Sequence, residues 1–88
     1  MKEMWEYSIL QCIASLGGKA YLKEIYAEIG KFVPLTKEHW KEQYRNPAYQ
    51  NQVRAHIAHL KNQKGQLIGI SRGYYSLTEK GQERLKQS

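Results

Sequence analysis

The stretch NPAYQNQVRAHIAHLKNQKGQLIGISRGYYSL, residues 46–77, decides the fold. It opens on Asn46-Pro47, an Asn cap followed by proline at a first helical position, where a missing N–H costs no hydrogen bond. Tyr49, Val53, Ile57 and Leu60 then fall on one stripe, which predicts a helix over about residues 47–64 that stops at Gly65. Leu67-Ile68-Gly69-Ile70-Ser71 and Tyr74-Tyr75-Ser76-Leu77 are rich in strand formers and flank Arg72-Gly73. That pattern predicts a tight hairpin over about residues 67–77, with Gly73 taking the positive φ.

Upstream, Trp5, Ile9, Cys12, Ile13 and Leu16 recur at helical spacing and predict a first helix from about residue 3 to 16, stopped by Gly17-Gly18. Lys19-Ala20-Tyr21 reads as short and extended. Leu22, Ile25 and Ile29 define a second helix ending near Gly30, with Phe32 and Val33 tucked back beyond it and Pro34 breaking the chain. Thr36 is the cap expected for a short helical turn carrying Trp40 and Tyr44. Downstream, Thr78 is expected to cap a last short helix bearing Leu85. Trp5, Tyr49 and Tyr75 are assigned to the core. Three helices followed by a two-stranded wing make a winged helix-turn-helix, mainly α with a small β-hairpin. Residues 1–88 are read as one such domain.

An 88-residue chain buries a thin core and leaves little room for a deep substrate cavity. The lone cysteine, Cys12, cannot form an internal disulfide and sits among Ile9, Ile13 and Leu16 as a small hydrophobe. No apolar run approaches the roughly 20 residues that span a bilayer, and Met1–Glu6 has no signal-peptide pattern, so the expectation is a cytoplasmic protein without a membrane partner. There is no aspartate and no Gly-rich phosphate loop. His56 and His59 stand three apart with no carboxylate expected near them, so no triad, metal site or cofactor is expected and the chain is read as non-enzymatic.

The placement of charge says more than its sum. Residues 1–42 hold six lysines and six glutamates, net zero. Residues 43–78 hold Arg45, Arg54, Lys61, Lys64 and Arg72 and no acid, net +5; residues 79–88 add three bases and two acids, net +1, for a total of +6. A 36-residue block cleared of carboxylates suits a polyanion, because one misplaced Glu would repel phosphate. With Val53, Ile57 and Leu60 turned to the core, the third helix shows Asn51, Ala55, Ala58 and Asn62 outward, flanked by Arg54 and His59. The alanines keep that face flat, Asn51 has the donor–acceptor pair that suits adenine, and Arg54 has the fork that suits guanine or phosphate. Gln50 adjoins them in the half of a recognition helix that meets bases. Lys61 and Lys64 are expected phosphate contacts, Arg45 a further cation, and Arg72 the wing contact. The alternatives are a merely solvated polar face for the helix and, for the chain, a winged helix used for protein contacts or dimerisation. Trp40 and Tyr44 share a helical face either as a cover over the core or as a stacking surface for a base, a modified base included.

Tyr49-Gln50-Asn51-Gln52-Val53-Arg54, Leu60-Lys61, Arg72-Gly73-Tyr74-Tyr75 and Leu77-Thr78-Glu79-Lys80-Gly81 together resemble the N-terminal winged-helix domain of Mrr-type restriction endonucleases, which act on modified DNA. Val33-Pro34-Leu35-Thr36 is similar to that family's stretch before its short middle helix. The lead into the wing, Asn62-Gln63-Lys64-Gly65-Gln66, departs from the family's apolar, Gly-Leu-rich one. The resemblance implies a double-stranded DNA-targeting module of a restriction-type or regulatory system, working with a nuclease domain or partner subunit, and it makes methylated DNA a candidate target.

Overall fold

The computed structural model describes residues 2–33, 42–43 and 46–86. Helix α1 spans Lys2–Ser15, β1 Lys19–Tyr21 and α2 Leu22–Glu28, the last closed by a 3-10 turn at Ile29–Lys31. Two short strands, β2 (Glu42–Gln43) and β3 (Asn46–Pro47), precede α3 (Ala48–His59), which widens into a π-helical turn over Leu60–Lys64. The wing follows as β4 (Leu67–Ser71) and β5 (Tyr74–Leu77), then α4 (Glu79–Lys86).

The apolar stripes meet as their spacing requires. Trp5, Ile9, Cys12 and Ile13 of α1, Ile25 and Ile29 of α2, and Tyr49, Val53, Ile57 and Leu60 of α3 form one buried cluster with Leu67 and Leu77 of the wing. Each such side chain contributes about 1.5–3 kcal/mol by leaving water. The strand order is β1-β5-β4, so the wing is not a lone hairpin: Ala20 opposes Tyr75 and is fully buried, and the Leu77 N–H donates to Gly18 O at 2.9 Å. The architecture is mainly helical with a small antiparallel sheet, as a winged helix requires.

Two local features depart from the sequence reading. Asn46-Pro47 does not start α3; it pairs antiparallel with Glu42–Gln43, which puts extended chain where a helical turn was expected. Proline has no N–H to give a ladder, but a two-residue ribbon asks little of it. The second departure is the π turn: the Gly65 N–H donates to Leu60 O, an i→i+5 bond, so residues 60–64 leave the 3.6-residue period on which the outward face was drawn.

Two glycines hold the wing and the last helix. Gly73 takes φ 71° at the hairpin tip, and its carbonyl accepts the Leu22 N–H at 2.7 Å, tying the tip to the start of α2. Gly81 is buried where a Cβ would lie 2.3 Å from Gln66 O, so α4 docks against the wing's first turn at backbone contact. Thr78 caps α4 as expected: its hydroxyl accepts the Gly81 N–H at 3.3 Å and donates to Gly65 O at 2.6 Å.

Candidate nucleic-acid interface

Helix α3 presents its two sides as its sequence dictates. Tyr49, Val53, His56, Ile57 and Leu60 are buried, while Gln52, Arg54, Ala55, Ala58 and Asn62 are exposed, and Gln50 and Asn51 are half-buried. The polar side chains are coupled rather than independent. The Arg54 guanidinium donates to Asn51 Oδ1 and, at 3.5 Å, to the Tyr26 hydroxyl on α2. Tyr26 in turn packs edge-on against Tyr49, with ring centroids 6.2 Å apart, and Tyr49 Oη accepts from Gln50 Nε2 at 3.3 Å. Burial pushes the Tyr26 hydroxyl up from its ordinary value despite Arg54 beside it, so it stays neutral. Of the five N–H donors on a guanidinium, this arrangement engages two and orients the plane.

His59 does not face outward beside them. Its Nδ1 lies 2.6 Å from Glu6 Oε2, and Glu6, on α1, is only 2 % exposed. Lys64 Nζ at 3.7 Å and Arg84 Nη1 at 3.4 Å approach Glu6 Oε1, and His56 Nδ1 lies 3.9 Å from Oε2 while its ring stacks on Trp5. Burial raises the Glu6 carboxyl; the His59 hydrogen bond, Lys64 and Arg84 outweigh it and hold the group below its ordinary value. The expectation that His56 and His59 lack a carboxylate is thereby corrected, because α1 brings one from 53 residues away. The signal was present: Glu6, Ile9 and Ile13 fall at i, i+3 and i+7 on the buried stripe of α1. An open pocket of about 290 Å³ lies beside the cluster, lined by Glu6, Gln52, Ala55, His56 and His59. Among the described residues no group of three potential ligands is gathered for a metal ion, and burial pushes the Cys12 thiol up to about 11.

Lys61 links helix and wing. Its Nζ lies 3.6 Å from where a Gly69 Cβ would be, alongside β4. Arg72 is exposed at the hairpin tip. The structure thus puts Asn51, Arg54, Ala55 and Ala58 on α3, with Lys61 and Arg72 toward the wing, while His59 and Lys64 turn to Glu6. Arg45, Trp40 and Tyr44 lie outside the described residues. Sequence reasoning also passed over Ile68 and Ile70, which are half-exposed on the wing, and Tyr21, which stacks on Tyr74 at 4.3 Å. Among the described residues no helix is long and apolar enough to cross a membrane.

A family model described as the Mrr N-terminal domain matches residues 4–87 of the chain. No curated protein and no solved structure matches it.

Proposed function

We propose that this chain, which belongs to the Mrr N-terminal domain family, binds double-stranded DNA through α3 and the wing. The family is that of a restriction-system N-terminal module, not of a catalytic domain. On this reading the module targets a nuclease domain or partner subunit to its substrate. The observation that carries the proposal is the coupled set Arg54–Asn51–Tyr26 on an exposed helix face, in a chain block without a single acid from residue 43 to 78. A pre-oriented guanidinium beside a carboxamide, on a helix kept flat by Ala55 and Ala58, suits a major-groove edge.

The test is a titration of labelled duplex at two salt concentrations, with methylated and unmethylated strands. Binding is expected to weaken steeply as salt rises. Arg54→Ala is expected to flatten discrimination between duplex sequences by about 1–3 kcal/mol without lowering the melting temperature. Binding that ignores salt, or an Arg54→Ala protein with the parent's affinity and selectivity, overturns the proposal. An affinity ratio of one between methylated and unmethylated duplex leaves a DNA binder that does not read that mark.

A further inference from the structure

The wing carries apolar surface that its own packing does not use. Among the described residues the exposed large hydrophobics are Tyr21, Ile68 and Ile70, at 47, 54 and 50 %. Two of the three stand on β4. Leu67 and Gly69 share the register rows of buried Leu77 and Ala20, so Ile68 between them points to the outer face of the sheet. Ile70 sits at a register shift: Gly69 opposes Tyr75 and Ser71 opposes Tyr74, leaving Ile70 as an extra residue. Such a bulge bends a strand and re-aims a side chain.

Arg72 follows Ile70 and Ser71 at the tip, while the Lys61 ammonium lies on the Gly69 side of β4, across the sheet from Ile68. The Leu22 N–H bond to Gly73 O anchors that tip to α2. A second copy paired along the β4 edge would bring its own Lys61 beside this one, and the bulge interrupts the ladder it would extend. Lysine and bulges are the devices by which edge strands avoid pairing. Aliphatic side chains beside an arginine, on a strand backed by a lysine, instead suit a groove walled by phosphates. Arginine is drawn to the negative potential of a narrow minor groove, and an aliphatic side chain inserted there unstacks a base step.

We infer that Ile70, with Ile68 behind it, is a wedge that the wing places in the DNA minor groove beside Arg72, kinking the duplex. The inference rests on the duplex-binding reading above. It requires affinity to depend on how easily the step at the wedge opens, with flexible pyrimidine–purine steps favoured.

The experiment uses the full chain and a duplex of about 25 base pairs carrying a fluorescent donor and acceptor at its ends, long enough for a local kink to shorten the end-to-end distance. One version has a TpA step at the wing position and one is G·C-rich. The parent is expected to shorten the bound duplex, corresponding to a bend of about 20–90°, and to prefer the TpA version severalfold. The double variant Ile68→Ala/Ile70→Ala is expected to melt with the parent, since both side chains are half-exposed. It should leave the bound duplex straight, lose the step preference and keep the parent's salt dependence. A straight duplex bound by the parent, or an unchanged bend with the double variant, overturns the inference while leaving duplex binding intact. A variant that changes the protein's sedimentation mass and not the bend overturns it in favour of a protein contact. If the parent binds no duplex at either salt concentration, the duplex-binding reading falls and this inference with it.

Discussion

At the scale of single residues, Glu6 has the most consequence per atom. A carboxylate that is 2 % exposed needs partners, and His59, Arg84, Lys64 and His56 surround it. Because its folded pKa is lowered, its contribution is present above the ordinary carboxylate range and is lost as pH falls through the folded value. Glu6→Gln keeps the shape and removes the charge. It is expected to destabilise the fold by about 1–3 kcal/mol at neutral pH, the loss typical of hydrogen bonds to a buried charged group. The gap between parent and variant should close as pH falls from about 5 to below about 4. Thermal melts of both proteins across that range decide it, and a gap that does not change with pH means the charge of Glu6 is not what holds the cluster. Sequence alone could mark Glu6 as a polar residue on a buried stripe. It could not name the partners, because His59 and Arg84 lie 53 and 78 residues away.

At the scale of elements, legibility followed period length. The helices α1 and α3 are long enough for their stripes to repeat, and both stops, Gly17-Gly18 and Gly65, read correctly. The wing hairpin was legible from strand formers around Arg72-Gly73. β1 was legible as a short extended stretch at Lys19–Tyr21, but its partner was not, since nothing in three residues names β5, which pairs with it. The π turn escaped for a related reason: nothing in Leu60–Lys64 announces an i→i+5 bond, so a face drawn at 3.6 residues per turn does not carry through that segment. Close approach was equally hidden. Glycine is unfavourable inside a helix, and by propensity alone alanine at Gly81 would gain up to about 1 kcal/mol. A Cβ added there would lie 2.3 Å from the Gln66 carbonyl oxygen, which reverses that sign. Gly81→Ala is expected to cost about 1–3 kcal/mol, as overpacking against fixed backbone does, which lowers the melting temperature by about 4–8 °C per kcal/mol in a domain of this size. A Gly81→Ala protein that melts at or above the parent would show that α4 can shift away from Gln66 without loss.

At the scale of the whole molecule, charge counted along the chain and charge presented in space diverge at one place. The N-terminal half is neutral overall, yet Glu6 from that half reaches into the acid-free block and engages Lys64. The two lysines at the end of α3, equivalent in the sequence, are therefore not equivalent in the fold. Lys61 lies along β4, between the outward side of α3 and the wing, whereas Lys64 is 3.7 Å from a buried carboxylate. A lysine that neutralises a DNA phosphate releases a counterion and adds about 0.9 to the slope of log affinity against log salt. Lys61→Ala is expected to remove that amount. Lys64→Ala should remove much less, since drawing its ammonium toward phosphate means giving up Glu6. In a Glu6→Gln background, Lys64 is released and the Lys64→Ala change should approach the Lys61→Ala one. The measurement is duplex affinity at four or more salt concentrations for the two single variants and the paired background. Equal slope losses in the parent background would mean that Glu6 does not restrain Lys64, and no loss from either would mean that the DNA-facing surface does not include the end of α3.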